Sequence, residues 1–246
     1  MTKVINRLKK EIIQMAFQAQ EGHVPSAFSI LDILWVLYDR VLKKDYFILS
    51  KGHGCLGLYA VLAEKGFFPK SWLANFGRFN SHLGGHPDCR QVPGVEASTG
   101  SLGHGLPLAV GMAMGLKIRK RQSKVYCLIG DGEANEGSVW EAVMLATQHR
   151  LDNLVCLVDY NHSTDRALKL GDLGEKFRSF GWQVKKINGH NHQEIFEALK
   201  LAHKKPLAII AKTIKGYGIK EMENNPAWHH RSPTKEEMER ILTELN

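Results

Sequence analysis

The sequence predicts an α/β fold, with a mostly parallel sheet and helices on both faces. Three observations carry that expectation. From residue 124 onward, strand-length apolar runs alternate with helix-length stretches. Repeated βαβ units of this kind build parallel sheets. Two of the runs end in polar triplets, Gly130-Asp131-Gly132 and Asp159-Tyr160-Asn161. Carboxyl ends of parallel strands are where ligands bind in such sheets. Finally, there is no internal repeat, low-complexity run or linker, so residues 1–246 are expected to form a single domain.

The elements follow in order. Residues 3–20 read as an amphipathic helix through Val4, Ile5, Leu8, Ile12, Met15 and Ala19, ended by Gly22. A turn through His23-Val24-Pro25-Ser26 leads to a very apolar helix over 27–42. That helix is too short and interrupted to span a membrane. A short strand, Tyr46–Leu49, enters Ser50-Lys51-Gly52-His53-Gly54, and a helix over about 55–66 follows. Residues 77–103 form a long loop rich in Gly, His, Ser and Pro, a length that usually marks function. Gly103–Lys120 reads as a helix of small residues. The alternating part then gives strands 124–129, 153–159, 182–187 and 207–213, with helices about 136–149, 172–180 and 191–204. A last helix, 234–245, follows an irregular stretch.

Composition is that of an ordinary globular protein, 43% hydrophobic and 24% charged. The net charge of +8 reads as a solvated basic surface or as attraction to phosphorylated metabolites or nucleic acid. No nucleic-acid-binding motif supports the last, so none is expected as a partner. Cys55, Cys89, Cys127 and Cys156 form no CxxC pair; Cys127 and Cys156 lie in apolar runs. Free buried thiols suit a reducing cytoplasm. No signal peptide or membrane span is expected.

The two triplets carry the chemistry. Both lie at strand carboxyl ends of one βαβ unit, so thirty positions in sequence become close in space. Magnesium prefers hard oxygen ligands and shares them with phosphates. Asp131 offers a carboxylate, Asn161 an amide oxygen, and the backbone carbonyl of Ser163 a third ligand. Gly130 and Gly132 allow close backbone approach to a phosphate, and the Gly132 N–H can donate to it. A plain turn in which Asp131 caps the helix is the competing reading. Glu136, five residues on, is either a favourable charge at a helix N-terminus, contributing about 0.3–1 kcal/mol, or an interface residue. Twelve histidines, several in Gly-rich loops, point to a site rather than to zinc, because no HxH or HxxxH pair sits on a helix.

GDGEANEG and LVDYN resemble the thiamine-diphosphate motif, and the wider sequence resembles the N-terminal half of transketolase. EGHVPS, ILSKGHG, GGHPD, STGSLGHGLPLAVGMA, KTIKGYG and NNPAWHH occur in family order, over about residues 5–233. The resemblance implies a thiamine-diphosphate-binding fold, thiamine diphosphate as cofactor, and Mg2+ or another divalent cation such as Ca2+ or Mn2+ on Asp131, Asn161 and Ser163. It implies that His23, His53, His86 and His229 are catalytic, and that His23, Ser26, His86 and His229 contact substrate. Cofactor contacts fall to His53, Gly100, Ser101, Leu102, Gly130, Asp131, Gly132, Asn161, Lys215 and His229, with His230 a competitor for His229. Glu136 falls at the family's subunit interface.

The sequence ends at Asn246, where a full-length transketolase continues into its pyrimidine-binding and C-terminal domains. The glutamate that activates the cofactor belongs to the former. The expectation is therefore one subunit of a split enzyme, inactive alone and completed by a C-terminal subunit in an α2β2 assembly. Its reaction would move a two-carbon ketol unit from a ketose, or ketose phosphate, to an aldose. A pyruvate-using relative in a specialised sugar pathway and an inactive cofactor-binding scaffold are the alternatives. Three departures stand out: Gly22-His23-Val24-Pro25 replaces a GHPG-like turn, the segment before Ile48-Leu49-Ser50 is short, and Ser163 stands where a hydrophobic residue is common.

Overall fold

A computed structural model describes residues 2–165 and 167–245. In chain order its helices are α1 (Thr2–Ala19), α2 (Val24–Val36), α3 (Cys55–Glu64), α4 (Gly105–Ile118), α5 (Gly137–Gln148), α6 (Leu173–Ser179), α7 (His192–Lys200) and α8 (Lys235–Glu244). Its strands are β1 (Tyr46–Leu49), β2 (Val125–Gly130), β3 (Leu154–Tyr160), β4 (Gln183–Asn188) and β5 (Leu207–Lys212). The chain divides into two compact units. One comprises Met1–Asp39, Gly52–Ser98 and Ile214–Asn246; the other comprises Arg40–Lys51 and Thr99–Thr213.

The second unit holds the sheet. Its order is β1-β2-β3-β5-β4, and every neighbouring pair is parallel. Strand β2 is buried at every position, and β3 at all but the last. That is why these segments read as unbroken apolar runs rather than alternating ones. Each fully buried Val, Leu or Ile contributes about 1.5–3 kcal/mol, so these two strands anchor the loops at their carboxyl ends. Helix α4 packs on β1, β2 and β3, α6 on β4 and β5, and α7 on β4. Strand β4 is an edge; Lys185 and Lys186 are exposed there, Lys186 paired with Asp172, and charged side chains on an edge discourage further strand pairing.

The first unit is helical. Helix α1 packs its apolar stripe against α2, α3 and α8. Gln20 leaves α1 in the left-handed conformation, φ 56°, and Gly22 follows at φ 134°. The displaced proline has a simple consequence. Helix α2 begins directly after His23, so Pro25 lies in its first turn, where a missing N–H costs nothing. The apolar helix expected over 27–42 is α2 plus a π-helical turn, Leu37–Val41. The helix expected to reach 204 ends at Lys200, because Leu201 turns extended, ψ 129°. The other expected elements fall within two residues of their observed ends. Among the described residues no helix is long and apolar enough to cross a membrane. Cys55, Cys127 and Cys156 are buried free thiols, and Cys89 is exposed.

Candidate active site

In the sheet unit, β2 and β3 pair in register with Gly130 opposite Asp159. The two polar triplets therefore lie side by side, as the βαβ reading requires. Asp131 is buried, and its two oxygens differ. Oδ1 accepts from the Gly132 N–H at 2.7 Å and from the Ser163 hydroxyl at 3.3 Å. Oδ2 is buried with no hydrogen-bond partner among the described residues. Burial first, and then the neighbouring Asp159 charge, hold the Asp131 carboxyl above the usual carboxylate range. Ser163 also donates its backbone N–H to Asn161 Oδ1 at 3.0 Å. Asp131, Asn161 and Ser163, the three expected metal ligands, thus form one hydrogen-bonded group. The Gly132 N–H expected to serve a phosphate is engaged by Asp131.

These residues fit a magnesium diphosphate. A buried carboxylate oxygen without a donor is costly unless a cation satisfies it. The donor set, a carboxylate with amide and carbonyl oxygens, is the hard type that Mg2+, Ca2+ and Mn2+ share. The glycines agree. A Cβ on Gly130 would meet nothing nearer than 3.9 Å, and one on Gly132 nothing nearer than 3.6 Å. Packing within this chain does not demand glycine at either position, whereas close approach by a ligand would.

Sequence reasoning missed the supports behind this group. Asp159, fully buried, accepts from Lys51 Nζ at 2.5 Å, Thr213 Oγ1 at 2.5 Å and Asn161 Nδ2 at 3.1 Å. Glu133, also buried, accepts from the Ser50 hydroxyl, the Gly103 N–H at 2.9 Å and the Gly130 N–H at 3.2 Å. One carboxylate thereby ties the end of β1, the loop before α4 and the end of β2. The available signal was a charged residue at the margin of an otherwise apolar run: Lys51, Glu133 and Asp159 all qualify.

Gly100, Ser101 and Leu102 lie on the loop before α4. Thr99 anchors one end by donating to the Leu49 carbonyl at 2.8 Å, and Gly103 anchors the other through Glu133 and the Ser138 hydroxyl at 2.8 Å. Gly103 has φ 83°, and a Cβ there would sit 2.7 Å from Glu136 Cβ, so no other residue fits. Glu136 is the exposed N-cap of α5, not a first-turn residue, and its side chain makes no capping hydrogen bond.

The helical unit gathers histidines around His23. The His23 ring stacks on His230, with centroids 4.4 Å apart, and meets His53 and His229 edge-on, each at 5.3 Å. His23 Nδ1 lies 2.9 Å from the His229 carbonyl, so that nitrogen carries the proton and Nε2 is left as an acceptor. Burial lowers the His23 pKa to about 4, against the opposing pull of that hydrogen bond. His23 is therefore neutral at pH 7. Lys215 Nζ lies 2.8 Å from His229 Nδ1, which fixes His229 in the tautomer protonated on Nε2. Trp228, buried beneath the Arg231 guanidinium at 3.5 Å, anchors this segment. Ser26 is buried in the first turn of α2. His86 is exposed on its own loop, which Tyr59 and Cys55 tether through the Gly84 and Gly85 carbonyls, and it is not among the rings packed on His23.

Comparison with known proteins places this geometry. The family model for the transketolase thiamine diphosphate binding domain matches residues 1–245. The chain is 38% identical to one subunit of the apulose-4-phosphate transketolase of Phocaeicola vulgatus, covering 97% of this chain and 91% of that one. It is 40% identical to Mus musculus transketolase, covering 98% of this chain but 41% of that protein. Campylobacter jejuni transketolase superposes with a TM-score of 0.92 at 32% identity, over 99% of this chain and 42% of its own. The chain thus spans most of the Phocaeicola subunit and about two fifths of the single-chain transketolases. It belongs to the transketolase family, whose thiamine diphosphate binding domain it carries.

Proposed function

We propose that this chain is the N-terminal subunit of a two-chain transketolase-type enzyme, transferring a two-carbon ketol unit from a ketose or ketose phosphate to an aldose. The carrying observation is the buried Oδ2 of Asp131, without a partner among the described residues, beside Asn161 and Ser163. Asp131, Asn161 and the Ser163 carbonyl hold the divalent cation, and Gly130 and Gly132 admit the diphosphate. Gly100, Ser101 and Leu102 lie against the cofactor's rings. In the helical unit, Lys215 neutralises diphosphate oxygens, His229 contacts cofactor and sugar through its Nε2–H, and His53 contacts both as well. His23 offers its bare Nε2 to a sugar hydroxyl, with Ser26 and His86 as further substrate contacts. Bound thiamine diphosphate supplies a centre that stabilises a carbanion; the imidazoles hold and move the hydroxyl protons.

Relatives of the split type act on apulose 4-phosphate and on 6-deoxy-6-sulfo-D-fructose. An anionic ketose donor agrees with those names and with the +8 net charge. The partner is a chain carrying the pyrimidine-binding and C-terminal domains, assembled as α2β2, with residues 1–246 acting as one functional domain. Buried free thiols support a reducing cytoplasm as the compartment. The test reconstitutes the chain with that partner and assays ketose phosphates, sulfo-ketoses and pyruvate as donors, with and without thiamine diphosphate and Mg2+. Ketol transfer that needs both chains, both cofactors and Asp131 is the expected result. Ketol transfer by this chain alone refutes the partner requirement, and turnover of pyruvate alone refutes the ketol reading.

A further inference from the structure

We infer that Asp159, paired with Lys51, is a positioning residue for the metal site: it fixes the Asn161 amide so that oxygen, not nitrogen, is offered to the cation. The inference rests on the metal role proposed for Asp131 and Asn161.

An asparagine amide presents two ends of nearly equal shape. A cation uses only the oxygen, and the NH2 group repels it. Here both ends are specified. Nδ2 donates to Asp159 Oδ2 at 3.1 Å, and Oδ1 accepts the Ser163 N–H at 3.0 Å. A flip would set oxygen against carboxylate and NH2 against N–H, turning both hydrogen bonds into repulsions. The Ser163 contact alone is shared with any Asx-type turn, so the discriminating partner is Asp159.

Asp159 is itself held in place: Lys51, at 2.5 Å and only 2% exposed, donates to the same oxygen that takes the Asn161 amide, and Thr213 donates to the opposite oxygen at 2.5 Å. A fully buried ion pair is a poor source of net stability, because desolvation offsets its attraction. Its placement two residues before a proposed metal ligand gives it a different use. Partners behind a metal ligand orient it, and their loss commonly weakens metal binding about 10–100-fold.

The experiment titrates the chain, reconstituted with its partner subunit, with Mn2+ in the presence of thiamine diphosphate, reading free Mn2+ by electron paramagnetic resonance. Lys51→Met combined with Asp159→Leu replaces the ion pair by apolar volume and leaves no unpaired charge. Asp159→Asn, which keeps the volume and one acceptor, is the second variant. The expected result is a folded double variant with a thermal midpoint near wild type and Mn2+ affinity about 10–100-fold weaker, with a smaller loss for Asp159→Asn. A merely structural role would move the midpoint and leave the affinity alone. Wild-type affinity in either folded Asp159 variant overturns the inference. Asp131→Ala separates the two readings. If it leaves Mn2+ affinity unchanged, or wild type binds no Mn2+, the metal site itself is refuted. If it abolishes binding while the Asp159 variants bind normally, only the positioning role fails.

Discussion

Asp131→Asn should make the metal-free chain more stable while removing its function. Wild-type Asp131 places a charged oxygen, Oδ2, in the interior with no donor among the described residues, and its carboxyl is pushed up by burial and then by Asp159. An unsatisfied buried polar atom costs about 1–3 kcal/mol, more when charged. Asparagine keeps the oxygen that accepts from Gly132 and Ser163. It removes the charge but leaves an unpartnered NH2, so the expected gain lies at about 1–2 kcal/mol. At about 2–4 °C per kcal/mol for a chain of this size, the thermal midpoint in EDTA should rise by roughly 2–8 °C. The sign follows from linkage. A carboxyl whose folded pKa is raised favours folding below its unfolded pKa, near 3.8. That advantage is lost as pH rises through the folded value, so the penalty is present at pH 7. Mg2+ with thiamine diphosphate should reverse the ranking, since ligand at 100 times its Kd stabilises wild type by about 2.7 kcal/mol and the variant far less. Thermal melts in EDTA and in cofactor test both halves. A variant less stable than wild type in EDTA would show that Oδ2 is already satisfied, and would remove the main support for a cation at this position.

Other perturbations give further readouts. His23 is depressed to about 4 from an ordinary 6.5. Its stabilising contribution is full above pH 6.5 and fades as pH falls toward 4, so His23→Asn should flatten that limb of a pH–stability curve. Gly103→Ala forces a side chain into φ 83° against Glu136. It should cost about 1–3 kcal/mol and raise the thiamine diphosphate concentration needed for half activity. Glu136 makes no capping bond, so Glu136→Gln should shift the oligomeric state in sedimentation while moving the thermal midpoint little; a stability loss without a mass change would favour the helix-charge reading. His86→Ala should lower kcat/KM for the sugar and leave cofactor affinity intact, measured in the reconstituted enzyme.

The fold was legible because its strands are buried on both faces. Runs such as Val125–Ile129 and Leu154–Val158 have no polar alternation to obscure them, and two later crossover helices, α6 and α7, are capped conventionally by Asp172 and Asn191. The cluster of His23, His53 and His229 was less accessible, because three segments separated by up to 206 positions form it and no local period encodes their meeting. His230 posed a different problem. Sequence offered two adjacent histidines as rivals for the cofactor, and in the structure their contacts within the chain differ: the His230 ring stacks on His23, and His229 engages Lys215. The supports were hardest to see, since Lys51, Glu133 and Asp159 stand at the margins of apolar runs and nothing local shows that they are buried.

Asp131 and Asp159 show what burial alone leaves undecided. Both are buried aspartates at the carboxyl edge of neighbouring parallel strands, on one βαβ unit. By composition and placement they are interchangeable, and either satisfies the rule that ligands bind at this edge. Their donors separate them. Asp159 has Lys51, Thr213 and Asn161, so its charge is answered within the chain. Asp131 has the Gly132 N–H and a longer contact from Ser163 on one oxygen, and none of the described residues donates to the other. A fold selected for stability alone would answer both or replace both with apolar residues. Retaining one answered and one unanswered charge side by side makes sense if the first arranges Asn161 and the second waits for a cation. The asymmetry between two identical side chains is thus a stronger pointer to function than either motif that contains them.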